Sequence, residues 1–339
     1  GALAGAEEAD GRDGAVEGAG ADAEAEGVDR VLTKWLSAFL DEGRAAWSMP
    51  NREAGLYGAF RSVGTYDDDI PDGGLVAELP DALTGRADRF VPSNQRWVPV
   101  TTRFRVLAYN SETVRPEDLP DSILDLPGMA DMEGRIGWTP AYSSFQDFVT
   151  ALRVTTSRDT ARTWLTQMQA LNPKSYTSNT PMVQALEAGE IDVALTNHYY
   201  VLRLKHGGAE GEYEGEEEEG EEHEEEHEEE ATPRASAPVE MYHFADGDLG
   251  NLALVTGAGA LQTSNQPDAA NRFLRFLLSE QAQSFAATRV NEYPVVSGAS
   301  VPDYLMPADE ALKMSPEFDL QKLQNMEPTL DLLRDAGAL

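Results

Sequence analysis

The chain has 339 residues, enough for two ordinary domains or one molecule of two lobes, and its formal net charge is −34. This acidic excess excludes nucleic acid and anionic membrane surfaces as partners. The sequence contains no cysteine, which excludes disulfides and thiolate chemistry. Arginine outnumbers lysine by 21 to 5, and this acidic, lysine-poor composition indicates a halophilic source, which we predict to be an archaeon.

The first part of the chain offers little apolar surface to bury. Residues 1–30 are mostly Ala, Gly, Glu and Asp, so we predict a disordered tail or a mispredicted start. Because the chain begins at Gly1 without Met, a signal peptide or a lipid anchor upstream is left open. Residues 31–47 have the apolar spacing of a helix. Residues 51–90 are rich in Gly and Asp and predict no clear element.

Strands and helices alternate along the rest of the chain. The alternation predicts an α/β fold with largely parallel sheets. Hydrophobic patterning predicts strands at 103–110, 134–140, 191–196 and 251–261, and helices at 143–154, 158–171, 180–189, 268–287 and 326–339.

A low-complexity segment, residues 207–237, interrupts this alternation. Residues 210–230 include 15 glutamates and no Lys or Arg, so the segment cannot bury enough surface to offset its ordering entropy. We predict an acidic, disordered insertion. His223 and His227 have the i, i+4 spacing of a weak Zn²⁺ site on a helix. Repulsion among the glutamates and the halophilic composition favour a solvated run without metal.

Two adjacent tyrosines, Tyr199 and Tyr200, follow the strand 191–196 in the stretch "TNHYY". The carboxyl end of a strand is where α/β sheets usually bind ligands. Adjacent side chains in a strand point to opposite faces, so the two tyrosines can converge only if the chain turns there. A phenol loses its proton near pH 10, and Fe³⁺ is the hard cation that stabilises phenolate at neutral pH. Alone, the pair is weak evidence, because two tyrosines beside a strand are more often packing residues with satisfied hydroxyls.

Five segments resemble the ferric-iron-binding subfamily of periplasmic-type substrate-binding proteins, which serve ABC importers. They occur in the family order over about residues 95–300, the insertion excepted. They read "VLAYNSETVRPEDLPDSILDL", "GRIGWTPAYSSFQDFVTALR", "NTPMVQALEAGEIDVALTNHYYVLRL", "GNLALVTGAGAL" and "ANRFLRFLLSEQAQSFAATRVNEYPVV". The combination of "GEIDVALTNHYY" with "IGWTP" and "SSFQ" is the specific part.

The resemblance implies a site for Fe³⁺ and a synergistic anion, carbonate or phosphate. It implies metal ligands at Tyr199 and Tyr200, with Tyr142 as a candidate third. It implies an anion cradle formed by Ser143, Ser144, Asn179, Asn197 and Arg103. The two serines open a predicted helix, where free backbone N–H groups favour an anion, and an arginine offers a planar fork of donors. His198 and Tyr293 are expected to be structural.

The fold implied by the resemblance is α/β, the bilobal periplasmic-binding-protein type II fold, with two mixed sheets flanked by helices and a ligand cleft between the lobes. We expect lobe 1 to comprise residues 31–105 and 250–300. Lobe 2 then comprises residues 106–206, 238–249 and 301–339. The family's first strand is not found before residue 90. Tyr57, Tyr66 and the run 67–69 are candidates for displaced ligands or for a solvated turn.

The predicted function is that of a binding protein and not of an enzyme. We expect a monomer at the cell surface or in a periplasm-equivalent space, which captures ferric iron and delivers it to a membrane permease. Three alternatives are left: the same fold binding another oxyanion or a small organic solute, a hydrolase or metalloenzyme that uses the Glu/His run, and a truncated fragment.

Overall fold

In a computed structural model, the structure describes residues 58–62, 77–87, 89–90, 95–208, 233–262, 264, 267–323 and 326–339. Eight strands of these residues form one mixed sheet with the order β1-β7-β2-β5-β3-β4, and β6 and β8 also pair with β2. The strands are β1 (Gly58–Ser62), β2 (Val98–Asn110), β3 (Ile136–Trp138), β4 (Lys174–Ser175), β5 (Val193–Asn197), β6 (Val239–Tyr242), β7 (Ala253–Ala260) and β8 (Tyr293–Pro294).

Strand β2 joins the two halves of this sheet, and all 13 of its residues are buried. Its first part, Val98 to Phe104, pairs with β7, and its second part, from Arg105 onward, pairs with β5 and β6. The partner therefore changes between Phe104 and Arg105. A strand that is buried on both faces is usually a nearly continuous run of apolar residues. Arg103 and Arg105 within β2 therefore need polar partners in the interior.

Nine α-helices of the described residues pack around the sheet. They are α1 (Asp81–Thr84), α2 (Ser143–Thr155), α3 (Arg158–Ala170), α4 (Asn179–Glu187), α5 (His198–His206), α6 (Pro267–Leu277), α7 (Glu280–Phe285), α8 (Ala308–Met314) and α9 (Glu327–Asp335). Short 3₁₀ segments lie at Pro116–Asp118, Ile123–Gly128, Ala130–Met132, Leu249–Asn251 and Leu320–Leu323, and a π-helical turn at Ala286–Val290. No helix within the described ranges is long and apolar enough to cross a bilayer.

The largest hydrophobic core lies in the half of the sheet that contains β3 and β5. Helix α2 contributes Phe145, Phe148 and Leu152, which recur at helical spacing and are at most 2% exposed. Trp164 of α3 packs edge-on against Phe148, with ring centroids 5.3 Å apart. Leu332 of α9 is completely buried in the same core. This core fixes α2 against β5, and so fixes the start of α2 beside the end of β5.

The predicted α/β class is confirmed by the mixed sheet with its flanking helices. The expectation of largely parallel sheets is wrong, because only β3–β4 and β3–β5 pair in parallel and the other five strand pairs are antiparallel. The predicted helix 268–287 is divided, since Ser279 caps a new helix by accepting from Ala282 N at 3.2 Å. The assignment of residues to two lobes stays a prediction.

Candidate metal and anion site

The tyrosine pair lies at a strand-to-helix junction. Strand β5 ends at Asn197 and α5 begins at His198, so Tyr199 and Tyr200 occupy the first turn of the helix. Neighbouring positions on a helix are about 100° apart, unlike the opposite faces of a strand. The two rings consequently lie side by side, with centroids 4.2 Å apart and a tilt of 32°. The turn needed for convergence is therefore present.

A third tyrosine and an arginine complete what we call the phenol cluster: Tyr142, Tyr199, Tyr200 and Arg203. The hydroxyl of Tyr142, at the start of α2, lies 3.0 Å from that of Tyr200. The guanidinium carbon of Arg203 lies 5.4 Å from the ring centre of Tyr199 and 5.5 Å from that of Tyr200. These are cation–π distances. Tyr199 and Tyr200 are 2% and 5% exposed, so the cluster is almost dry.

Burial keeps the two phenols protonated in the metal-free protein. Loss of hydration raises the pKa of Tyr199 above its ordinary value, and the neighbouring Tyr142 and Glu292 raise it further, while Arg103 and Arg203 oppose the rise. Burial also raises the pKa of Tyr200 well above its ordinary value, with the charge of Tyr199 as the next cause. Only a strongly polarising cation would favour phenolate here.

Beside the phenol cluster lies what we call the arginine cluster: Arg105, Ser144 and Asn197. Nη1 of Arg105 donates to Asn197 Oδ1 at 3.1 Å and to Ser144 Oγ at 3.3 Å. Its Nη2 donates to Leu195 O at 2.9 Å, which holds the guanidinium against β5. Arg105 is only 3% exposed, and this burial lowers its pKa to about 10, so it is still a cation at neutral pH.

Asn179 is positioned by the strand next to this cluster. Its Oδ1 accepts from Thr196 Oγ1 at 3.1 Å. Its Nδ2 is buried without a hydrogen-bond partner among the described residues, as is Thr139 Oγ1. Buried donors rarely lack a hydrogen-bond partner, because each unsatisfied donor destabilises the folded state by about 1–3 kcal/mol. The unused amide of Asn179 is what an anion or an ordered water would satisfy.

Two further residues of the expected cradle, Ser143 and Arg103, lie close in the chain to Ser144 and Arg105. Ser143 is the first residue of α2 and is only partly buried. Arg103 is 6% exposed, and its Nη1 donates to Thr256 Oγ1 of β7 at 2.8 Å. Burial lowers the pKa of Arg103, but nearby acidic groups, Glu292 foremost, outweigh it and raise the pKa overall.

Three buried charged residues near the site were missed in the sequence. Arg105 follows Arg103 by two residues, so both lie on one face of β2, and this i, i+2 spacing was the available signal. Arg203 lies one helical turn after Tyr199 and Tyr200, a signal that requires α5 to be a helix. Asp147 is 0% exposed, and nothing in its local sequence distinguishes it from a surface acid of α2.

His198 and Tyr293 have structural contacts. Nδ1 of His198 accepts from Phe104 N at 3.1 Å, and its Nε2 donates to Asn291 O at 2.9 Å. Both ring nitrogens are thus used, and burial lowers the pKa of His198 to about 3. The ring of Tyr293 meets that of Phe104 edge-on at 5.0 Å. A cavity of about 180 Å³ lies on this side of His198, and no residue of the phenol cluster lines it.

The remaining sequence candidates lie outside the described residues. These are Tyr57, Tyr66, the run 67–69, His223 and His227, together with the predicted helix 31–47 and most of the acidic insertion. Within the described ranges no group of three or more His, Asp and Glu side chains is placed to hold a metal ion. The phenol cluster is therefore the metal-site candidate that the described residues offer.

Comparison with known proteins gives two distinct matches. The family model of the probable inorganic carbon transporter subunit DabA matches residues 6–188. The DabA protein of Haloarcula marismortui is 59% identical over 76 residues, which is 22% of this chain but only 9% of that relative. The chain thus spans a small fraction of the length of the DabA relatives it matches. This match was not anticipated from the sequence patterns.

The second match covers most of the chain. The Fe(3+)-binding periplasmic protein of Serratia marcescens is 27% identical over 267 residues, or 78% of this chain and 70% of the relative. The structure of iron-bound HitA from Pseudomonas aeruginosa superimposes with a TM-score of 0.64 at 30% identity, over 78% of this chain and 76% of that one. Apo FutA2 from Synechocystis has the same fold, with a TM-score of 0.60 at 23% identity.

The two matches concern different properties of the chain. The DabA model covers just over half of it, whereas the fold is that of the iron-binding proteins, which confirms the predicted periplasmic-binding-protein type II fold. The chain therefore belongs by its fold and homology to the family of ferric-iron-binding periplasmic proteins and, through residues 6–188, also to the DabA family.

Proposed function

We propose that the chain captures Fe³⁺ together with a synergistic anion, carbonate or phosphate, as the solute-binding component of an ABC importer. The observation that carries the proposal is the phenol cluster, in which three tyrosines and a buried arginine meet at a strand-to-helix junction. Phenolate oxygens are hard ligands, and Fe³⁺ is the common cation that favours them. Several relatives are named for iron binding or iron uptake, which supports this cargo.

Tyr199 and Tyr200 would coordinate the ion as phenolates, with Tyr142 as the third candidate ligand. Each must release a proton, because burial holds it neutral without metal. Arg203 favours this step, since its positive charge next to both rings stabilises phenolate. The hydroxyl of Tyr142 can either bind the ion or donate a hydrogen bond to the phenolate of Tyr200.

The anion would lie between the start of α2 and the arginine cluster. Ser143 and Ser144 supply the free N–H groups of a helix N-terminus, where an anion is stabilised. Arg105, Asn179 and Asn197 supply further donors, and the unused Nδ2 of Asn179 supports this placement. Arg103, two residues before Arg105 on the same face of β2, would add positive charge to the cradle, and its Nη1 donates to Thr256 Oγ1.

The wider role follows from the fold. We expect two lobes that close over the cargo, with β2 crossing between them where its partner changes after Phe104. We expect a monomer that catalyses no reaction and delivers iron to a membrane permease, in the periplasm or at the cell surface. The acidic, lysine-poor composition supports a halophilic, archaeal source.

A visible spectrum tests the proposal. Fe³⁺ is added to the purified chain with carbonate or phosphate, and phenolate-to-iron charge transfer should give a coloured complex. Tyr199→Phe and Tyr200→Phe should each abolish the colour and weaken iron binding by at least about a hundredfold, because even residues behind the ligands cost 10–100-fold. Tyr293→Phe is the matched control, since this buried tyrosine packs against Phe104 and should leave the colour intact.

A colourless protein, or a colour that survives both substitutions, contradicts the iron site. If calorimetry then shows that the metal-free protein binds phosphate or another oxyanion, the alternative function of an oxyanion carrier replaces the iron site. Deleting residues 209–230 should leave the colour unchanged. Loss of the colour on that deletion would assign the metal to the Glu/His run instead.

A further inference from the structure

Asp147 is a buried acid that the proposed iron chemistry does not use. Its side chain is 0% exposed, and neither carboxylate oxygen has a hydrogen-bond partner among the described residues. Its place on α2 is three residues after Ser144, so the two side chains share a face of the helix. Ser144 is the residue whose hydroxyl contacts Arg105. Asp147 therefore lies next to the proposed anion position.

The charges around Asp147 are cationic. The charged side chains that act on it are Arg103 and Arg105, both from β2, which packs against α2. Burial nevertheless outweighs their attraction and raises the pKa of Asp147 to about 7. An ionised carboxylate can only accept hydrogen bonds. The buried carboxylate of Asp147 therefore lacks the hydrogen-bond donor that buried acids normally have. The missing partner is a hydrogen-bond donor.

We propose that Asp147 determines the specificity of the anion site by accepting a hydrogen bond from the acidic proton of the bound anion. The inference rests on the proposed function, because it concerns the anion of that same site. Oxyanions that keep a proton at neutral pH, hydrogen phosphate and hydrogen carbonate, satisfy the carboxylate. Sulfate has the size and shape of phosphate but no proton, so above pH 7, where Asp147 is ionised, it meets a buried negative charge with no hydrogen bond to offset the repulsion.

This arrangement distinguishes phosphate from sulfate by hydrogen bonding and charge, and not by the size or shape of the anion. Both anions would receive the same donors from Ser144, Asn197 and Arg105. Only the proton distinguishes them. An unmade buried hydrogen bond costs about 1–3 kcal/mol, and like-charge repulsion adds to it, so we expect phosphate to be preferred over sulfate by about a hundredfold.

The test compares phosphate with sulfate in the whole chain at about pH 8, where Asp147 is ionised and hydrogen phosphate still keeps its proton. Each anion is titrated into the metal-free protein by calorimetry, and into the iron-loaded protein while the charge-transfer band is followed. The wild type should prefer phosphate in both measurements. In Asp147→Asn, which keeps the shape but removes the charge and offers N–H donors, sulfate should bind more tightly and most of the preference should disappear.

Asp159→Asn is the matched control, because it removes the same charge from α3, where the side chain is 89% exposed. It should leave the preference unchanged. A wild type that binds sulfate as well as phosphate overturns the inference, and so does a folded Asp147→Asn that keeps the full preference. If that variant fails to fold, the wild-type comparison decides alone. A coloured complex with no preference contradicts only the role of Asp147, whereas no coloured complex with either anion contradicts the proposed iron site.

Discussion

The phenol cluster and the arginine cluster are neighbours, yet they solve opposite electrostatic problems. The phenols of the phenol cluster are neutral before binding, because burial raises the pKa of Tyr199 and Tyr200. The arginine cluster keeps its charge, because Arg105 stays a cation despite being 3% exposed. The first cluster must lose protons to accept a cation, and the second must already be charged to accept an anion. A ligand pair of opposite charge matches both.

The largest effect is expected from removing the permanent charge. Arg105→Leu leaves Asp147 facing a weaker positive field and deprives Asn197, Ser144 and Leu195 O of a donor. We expect the free energy of unfolding to fall by about 3 kcal/mol, as when a buried charge loses its partner. Urea unfolding measures it. Arg162→Leu breaks an exposed pair with Asp159 and should change stability by less than about 1 kcal/mol. Equal losses in the two variants would show that Arg105 is not held as described.

A pH dependence of stability is expected from the same cluster. The pKa of Asp147 is about 7 in the folded protein, above its ordinary value of 3.8. Between these values the folded state holds a proton that the unfolded state has lost. The free energy of unfolding should therefore fall as pH rises from about 4 to about 7, with no further loss from this group above that. In protein free of metal and anion, the free energy of unfolding of Asp147→Asn should not show this fall with pH. If wild type and variant change with pH in the same way, the raised pKa of Asp147 is contradicted.

The charge of Arg203 should matter for the phenol cluster but less for the anion. Arg203→Met keeps much of the apolar contact with Tyr199 and Tyr200 but removes the charge that favours phenolate. We expect iron affinity to fall about tenfold, the lower end for residues behind a metal ligand. Phosphate affinity of the metal-free protein should change little. Arg203→Lys, which keeps a charge, should recover part of the iron affinity; no recovery would indicate packing as the cause.

The smallest effect separates the two roles of Tyr142. Tyr142→Phe removes one hydroxyl contact with Tyr200, and stability should fall by about 1 kcal/mol. If Tyr142 only donates a hydrogen bond, the charge-transfer band should shift in wavelength and keep its intensity. If it is the third ligand, the band should lose intensity and iron binding should weaken as in Tyr199→Phe. The spectrum of the variant thus decides between the two roles.

The sequence could predict much of the fold because its elements have strong local signals. The expected strands at 134–140 and 191–196 correspond to β3 and β5, and the helices at 143–154 and 158–171 correspond to α2 and α3. Strand β6 was missed because it is short and begins just after the predicted insertion 207–237. Helix α8 was missed because only Ala311 among its residues is buried, which leaves little apolar periodicity.

The sequence by itself determined the α/β class and placed two adjacent tyrosines after a strand, where they could converge only if the chain turned. These follow from local patterning and from the geometry of a strand that passes into a helix. Only the tertiary structure decided that Arg105 contacts Ser144 and Asn197, that Arg203 lies by the phenols, and that Asp147 is completely buried. The reason is physical: the local sequence around a charged residue does not show whether the residue lies on the surface or in the core. Its role depends on burial and on partners that are distant in the chain.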